Sequence, residues 1–389
     1  MLNFDDTRIT FSGRSNQHLR RAYWLYRLLS QSWLLKVAPT LLTLALKLKI
    51  PIIPLIRSTV FKHFCGGESL TDSEATVVEL GKNRICTILN YSAEGKSTEE
   101  DFDRTTEEIL QSIEHASSHP LIPFAVFKPT GITRFELLEK ANTGAPLSKG
   151  EEAEYKRVIT RFHQLCERAH RLDVPLLIDA EESWIQDAID TIAEEMMKAF
   201  NQKKAVIYTT VQLYRTDRLP FLRQSYLKAR SEGYHLGMKL VRGAYMEQER
   251  ERAARLHYPD PIHSSKDATD HTFNEALKFC LENLDQISLC CGSHNEQSNL
   301  YLTALMISND VTNNDPRVFF SQLLGMSDHI SYNLAAAGYN VAKYVPYGPV
   351  KDVLPYLLRR AEENRSISGQ TNRELGLLRT ESRRRRLTP

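Results

Sequence analysis

A chain of 389 residues with 42% hydrophobic content can bury a large core, and 50 basic against 48 acidic residues leave a net charge of only +2. That balance excludes a general nucleic-acid binder, whose phosphate contacts need a basic face. The six cysteines (Cys65, Cys86, Cys166, Cys280, Cys290, Cys291) are scattered, with no CxxC pair and no Cys/His metal spacing. Neither a disulfide framework nor a metal site is expected, and a reducing compartment suits them.

The N-terminus, MLNFDDTRIT, carries acids where a signal peptide has a basic and then an apolar stretch, so a cytoplasmic location is expected. Residues 24–64 are the most apolar part of the chain. Their longest run, 37–46, is flanked by Lys36 and Lys47 and contains Pro39, well short of the ~20 residues that span a bilayer. Residues 1–80 are read as a helical lead-in packed on the rest of the chain, with a membrane-surface segment as the alternative.

Eight short apolar runs then read as buried strands: 84–91, 123–128, 174–179, 205–212, 236–242, 287–293, 318–323 and 341–345. Most are continuous rather than alternating, as expected of parallel strands covered on both faces. Helical patterns fill the gaps, over 99–116, 151–171, 184–201, 220–231, 272–284, 299–306, 328–337 and 350–363. Strand followed by helix, eight times, predicts an α/β fold of the (βα)8 TIM-barrel type over 81–364, with an open doubly wound sheet as the alternative. The connections 131–150 and 245–270 are long and follow strand ends, where loops carry function.

A barrel gathers its chemistry at the C-terminal ends of its strands. Those ends read Lys128, Asp179, Gln212, Lys239 with Arg242, His294 with Asn295, and Tyr344. Each alone is an ordinary cap or turn residue, but only a barrel would bring them to one place. Lys128 and Asp179 end neighbouring predicted strands and can meet, either as an ion pair bracing the mouth or as an electrostatic element beside a charged substrate. His294 has no HExxH or two-His-carboxylate company, so hydrogen bonding to a cofactor edge suits the His-Asn pair better than a metal. No GxGxxG follows a strand and no Walker A sequence occurs, so a nucleotide cofactor would be held by barrel loops. Lys266, Thr269 and Asp270 lead into a helix, where donors suit phosphates; capping alone also explains Thr269 and Asp270.

The last predicted helix contains Tyr356-Leu357-Leu358-Arg359-Arg360-Ala361-Glu362-Glu363. Arg359 with Glu363 and Arg360 with Glu363 have the spacing of a solvated face, where such pairs contribute about 0.2–0.5 kcal/mol each. Two adjacent guanidinium groups also suit forked recognition of a carboxylate, and the choice turns on whether this helix covers the barrel mouth. Residues 365–389 are polar and end in the basic run 383–386. They are read as a disordered tail, with attraction to anionic lipid headgroups as the alternative.

From about Phe61 to Asn364 the chain resembles the proline dehydrogenase family. The resemblance is carried by Lys239-Leu240-Val241-Arg242-Gly243-Ala244-Tyr245, Leu177-Ile178-Asp179-Ala180-Glu181-Glu182, Gly292-Ser293-His294-Asn295 and Leu323-Leu324-Gly325-Met326. Its strongest part is Tyr344-Val345-Pro346-Tyr347-Gly348 followed by Tyr356-Leu357-Leu358-Arg359-Arg360. It implies a distorted barrel with the last helix over the mouth and FAD bound non-covalently at the strand ends. It further implies that Arg359, Arg360 and Lys128 hold a substrate carboxylate, with Glu363 pairing the arginines and Asp179 in the same charged cluster. Ala244, Tyr245, Leu323 and Tyr344 match residues around a proline ring. Gln212, Lys239 and His294 match flavin contacts, and Arg242, Lys266, Thr269 and Asn295 join them as cofactor residues. Many bifunctional bacterial members have arginine where Lys239 stands and lysine where Arg242 stands; this chain has the order of the mitochondrial-type branch.

The implied reaction oxidises L-proline to Δ1-pyrroline-5-carboxylate by hydride transfer from C5 to the flavin, with reoxidation by a quinone and peripheral membrane association, on the matrix side in a eukaryote. A hydroxyproline dehydrogenase of the same fold is the near alternative, and Tyr344 favours proline because that branch has a smaller residue there. A non-catalytic barrel serving as a scaffold is the alternative of another class.

Overall fold

A computed structural model describes residues 2–29, 51–92, 97–366 and 370–387, except for the side chains of Leu29, 359–366 and 370–371. The apolar run 37–46 lies outside the described residues. Eight parallel strands close into a barrel in chain order: β1 (Cys86–Tyr91), β2 (Phe124–Phe127), β3 (Leu176–Ile178), β4 (Ile207–Gln212), β5 (Leu236–Val241), β6 (Ile287–Gly292), β7 (Val318–Leu323) and β8 (Val341–Tyr347). Closure is made by β1 on β8, in register from Cys86 beside Ala342 to Tyr91 beside Tyr347. That ladder removes the open-sheet alternative.

The strands read as continuous apolar runs because both faces are covered; every residue of β4 and of β8 is buried. Inward side chains fill the barrel with Ile88, Phe124, Val126, Leu177, Tyr208, Ala342 and Tyr344. Gly237 of β5 makes room for one of them, since a Cβ there would stand 2.5 Å from the Tyr208 ring. Outward side chains join the shell of helices in a single large core.

The helices are α1 (Thr7–Thr10), α2 (Asn16–Leu29), α3 (Leu70–Gly81), α4 (Glu99–Ser117), α5 (Phe135–Asn142), α6 (Lys149–Leu172), α7 (Ser183–Phe200), α8 (Arg218–Glu232), α9 (Met246–Leu256), α10 (Lys266–Glu282), α11 (Glu296–Ser308), α12 (Asp328–Ala336), α13 (Val350–Ser366) and α14 (Gln370–Arg384). Short helical turns also fill 53–64. Helices α5 and α9 occupy the two long connections that the sequence leaves as loops.

Helix α3, which precedes β1, packs on β1 and β8 and takes the outer slot that the helix after β8 would otherwise fill. Helix α13 is displaced from it. Its Val350, Val353, Leu354, Tyr356 and Leu357 pack on Phe61, Phe64, Cys65 and Met326, with Leu323 at the edge. Leu323 ends β7 and also touches the barrel interior, so α13 lies at the C-terminal mouth.

The expected disordered tail is instead helix α14. Its Leu375, Leu377 and Leu378 dock on Phe11, Leu19, Ala22 and Tyr26 of the lead-in. Arg384 and Arg385 of the basic run both bind the buried carboxylate of Glu381. Arg385 also donates to the carbonyls of Phe11 at 2.8 Å and Arg14 at 2.6 Å. The apolar stripe is narrow and its partner lies at the other end of the chain, so local composition reads as solvated. Among the described residues no helix is long and apolar enough to cross a membrane.

Candidate active site

The C-terminal mouth holds a buried charged cluster built from strands that are not neighbours. Asp179, one residue past β3, is on the interior face by alternation with Leu177. One carboxylate oxygen accepts from the Lys239 ammonium of β5. The other accepts from the Tyr344 hydroxyl of β8 at 2.5 Å, and the Lys239 Nζ lies 4.9 Å from the Tyr344 ring centroid. Asp179, Lys239 and Tyr344 are all buried. Burial first, and then the Asp179 charge, pushes the Tyr344 phenol well above its ordinary range, so Tyr344 is a neutral donor here.

The sequence allowed Lys128 to meet Asp179; the bonds on the two Asp179 oxygens come from Lys239 and Tyr344. The Lys128 charge is felt by Glu181, a buried carboxylate two residues further on. Burial raises the Glu181 pKa and Lys128 works against that rise. Glu181 accepts from the Thr130 amide at 2.8 Å and its hydroxyl at 2.6 Å, tying the end of β2 to the end of β3. Gln212, at the end of β4, donates to the Glu181 carbonyl at 2.7 Å. Its Oε1 is buried with no donor among the described residues, an acceptor that an apolar interior would not leave unpaired without use.

Arg242, Lys266, Thr269, His294 and Asn295 gather in a second cluster, around the ends of β5 and β6 and the start of α10. Arg242 donates to Asp270 at 2.7 Å, Ser293 at 2.9 Å and Ser298 at 2.7 Å, with its guanidinium 4.0 Å from the Phe273 ring centroid. Lys266 pairs with the same Asp270 one helical turn on and is largely exposed. The Thr269 hydroxyl donates to the Ser265 carbonyl at 3.2 Å. Asn295 caps α11 through the Ser298 amide and reaches Asp270 at 3.3 Å. His294 Nδ1 lies 3.0 Å from the Ser327 hydroxyl. Among the described residues no group of three or more His, Cys, Asp or Glu is arranged to hold a metal ion.

The loop after β5 is shaped by Gly243. Its φ is +104°, and a Cβ there would stand 1.6 Å from the Tyr214 ring, so only glycine fits. Ala244 is exposed and Tyr245 buried. Helix α9 follows Tyr245 and is pinned by Glu249, which accepts from the Ser183 amide at 2.7 Å and its hydroxyl at 2.6 Å. Nothing in the sequence signals this contact, since 245–270 reads as a long connection in which a glutamate is expected to be solvated. Arg359, Arg360 and Glu363 lie on the backbone of α13 over the mouth, but their side chains are outside the described residues.

The model of the proline dehydrogenase family matches residues 73–373. The chain is similar to the carbapenem antibiotics biosynthesis protein CarD of Pectobacterium carotovorum subsp. carotovorum, 35% identical over 84% of this chain and 85% of that protein. It is also similar to the mitochondrial proline dehydrogenase 1 of Dictyostelium discoideum, 32% identical over 98% of this chain and 74% of that one. A hydroxyproline dehydrogenase of Xenopus laevis is 30% identical over 99% of this chain and 90% of that protein. Among solved structures, the proline utilization A protein of Bdellovibrio bacteriovorus inactivated by N-propargylglycine shares the fold, with TM-score 0.74 and 18% identity over 96% of this chain and 38% of that one. Since the family match runs from the helix that displaces α13 to the first turn of α14, this chain belongs to the proline dehydrogenase family.

Proposed function

We propose that the chain oxidises L-proline to Δ1-pyrroline-5-carboxylate with FAD as cofactor, the first step of proline breakdown to glutamate, and hands the electrons to a quinone. The observation that carries this reading is the buried cluster of Asp179, Lys239 and Tyr344 beneath α13, with Leu323 beside it at the mouth where barrels do their chemistry. The unpaired Gln212 Oε1 is the test of cofactor fit: it suits an N–H on the edge of a flavin ring.

The redox chemistry, acceptance of a hydride from proline C5, is supplied by FAD when it is bound. The residues of this chain bind and aim. Arg359 and Arg360 on α13, with Lys128, hold the substrate carboxylate, because paired guanidinium forks match its planar oxygens. Glu363 keeps the two arginines in place. Ala244, Tyr245, Leu323 and Tyr344 enclose the ring and fix C5, so orientation contributes to the rate. The cationic surroundings lower the pKa of the bound amine, and no residue is needed as a general base. Lys239 and Arg242, whose charged ends are committed to Asp179 and to Asp270, act toward the cofactor as fixed positive charge. Lys266, Thr269, His294 and Asn295 serve its remaining length, with phosphates at the start of α10.

Contact with a membrane quinone is assigned to residues 24–64 or the basic run 383–386; in the former Trp24, Leu28 and Leu55 are exposed, while Phe61 and Phe64 are core. Serine at those three exposed positions should reduce binding to vesicles and quinone reduction together; unchanged partitioning would remove this part of the reading.

The deciding experiment is an anaerobic spectral titration with L-proline and trans-4-hydroxy-L-proline side by side. The purified protein should be yellow and L-proline should bleach it. A protein that stays colourless when FAD is added would favour a scaffold. The hydroxyproline reading is kept because of the Xenopus laevis relative, and bleaching by hydroxyproline in preference to proline would select it.

A further inference from the structure

Ser327 gives up two local preferences at once. It is a non-glycine residue in the left-handed region, φ 51° and ψ 42°, and it stands at the N-cap of α12 without capping that helix through its side chain. Serine at an N-cap ordinarily has an extended backbone and bonds its hydroxyl to an amide of the first turn. Here the hydroxyl is 3.0 Å from His294 Nδ1 instead. Ser327 is wholly buried, and its amide donates to Glu374 Oε1 at 2.7 Å.

Glu374 comes from α14, one residue past the end of the family match. It is buried, with His329 Nδ1 at 3.7 Å from the same oxygen. His329 Nε2 in turn lies 3.0 Å from Glu296, which also binds Arg373. The leucines of α14 pack that helix on the lead-in. A carboxylate sunk this deep costs stability unless its hydrogen bonds are used, and the one that reaches toward the mouth goes to Ser327.

We propose that Glu374 is a positioning residue. It holds Ser327 in its left-handed conformation and, through the Ser327 hydroxyl, fixes the ring orientation of His294. A serine hydroxyl can donate to or accept from the imidazole nitrogen, so this bond sets where the ring points in either tautomer, and one glutamate in the last helix thereby orients His294. Helix α14 is thereby a working part of the site. The inference rests on the proposed function only where FAD is the probe.

The test uses the full chain with 15N-labelled histidine, reads the His294 ring resonances without cofactor, and then measures FAD binding by quenching of flavin fluorescence. Glu374→Gln keeps an acceptor for the Ser327 amide and Glu374→Ala does not. Glu374→Ala should shift the His294 ring resonances and weaken FAD binding about tenfold, as loss of one positioned hydrogen bond does, with Glu374→Gln within about twofold of the parent. Ser327→Ala removes only the hydroxyl and should reproduce the Glu374→Ala effect; it decides the matter if Glu374→Ala does not fold. The double variant should bind no more weakly than Ser327→Ala alone. Parent-like ring resonances and FAD affinity in a folded Glu374→Ala or Ser327→Ala variant would overturn the inference, even with a lower Tm. A parent chain that binds no FAD would sink the proposed function, and the ring resonances would still decide the role of Glu374.

Discussion

The Tyr344 hydroxyl donates to one oxygen of Asp179 at 2.5 Å while Lys239 takes the other, so β3, β5 and β8 are joined through one buried carboxylate. Removing either charge leaves the other stranded. Asp179→Ala should therefore cost about 3–5 kcal/mol, and a volume-matched apolar pair at 179 and 239 should recover most of that stability while abolishing activity. Urea unfolding of the two single variants and the double variant checks it. Simple additivity of the single costs would show that the pair does not act as a unit.

Tyr344→Ser opens the interior beside Asp179 and removes the phenol. It should raise kcat/KM for trans-4-hydroxy-L-proline relative to L-proline, as a pocket with space and an unpaired acceptor favours the hydroxylated ring. An unchanged ratio would mean that Tyr344 does not face position 4 of the substrate.

Arg359→Met and Arg360→Met should each raise KM for proline at least about tenfold, the effect of deleting one partner of a charged hydrogen bond, with flavin still bound. Steady-state kinetics beside the visible spectrum of each variant separates the two. Normal proline kinetics in both would remove the carboxylate clamp.

His63 supplies a pH dependence. Its ring sits between Tyr26 and Phe64, at centroid distances of 5.5 and 4.7 Å, and burial pulls its pKa from 6.5 down to about 4. Between those values the unfolded chain binds a proton that the folded chain does not, so stability is full above the unfolded value and falls as pH drops toward 4. The loss should be on the order of 3 kcal/mol, and His63→Phe should flatten it. Melting curves from pH 7 to pH 4 read both slopes; equal slopes in parent and variant would place the acid sensitivity elsewhere.

Much of the barrel was legible because β-strands buried on both faces need unbroken apolar runs, and those runs locate all eight strands to within a few residues. Helix α9 was not legible: only Glu249 and Ala253 are buried in it, so no apolar period marks it. Its anchor is a glutamate that finds Ser183 across the mouth. The bonding partners of Asp179 were not legible for a related reason. Adjacent strand ends pointed to Lys128, whereas inward side chains of β5 and β8 meet Asp179 across the barrel interior. That Gln212 ends a strand and that His294 follows one could be read from the sequence, whereas Lys239 stands inside β5, two residues before its end. Their bonds could not, because each is made by residues from elements far away in the chain.

Arg385 is bonded to carbonyls of Phe11 and Arg14, and this has a consequence for how the molecule comes into being. Synthesis delivers α1 and α2 first and α14 after every strand, so the lead-in has nothing to hold it until the barrel exists. Closing a loop that long carries a large entropic cost before any contact rewards it. The two ends are therefore expected to fasten last, on a finished barrel, and to come apart first when the protein is stressed.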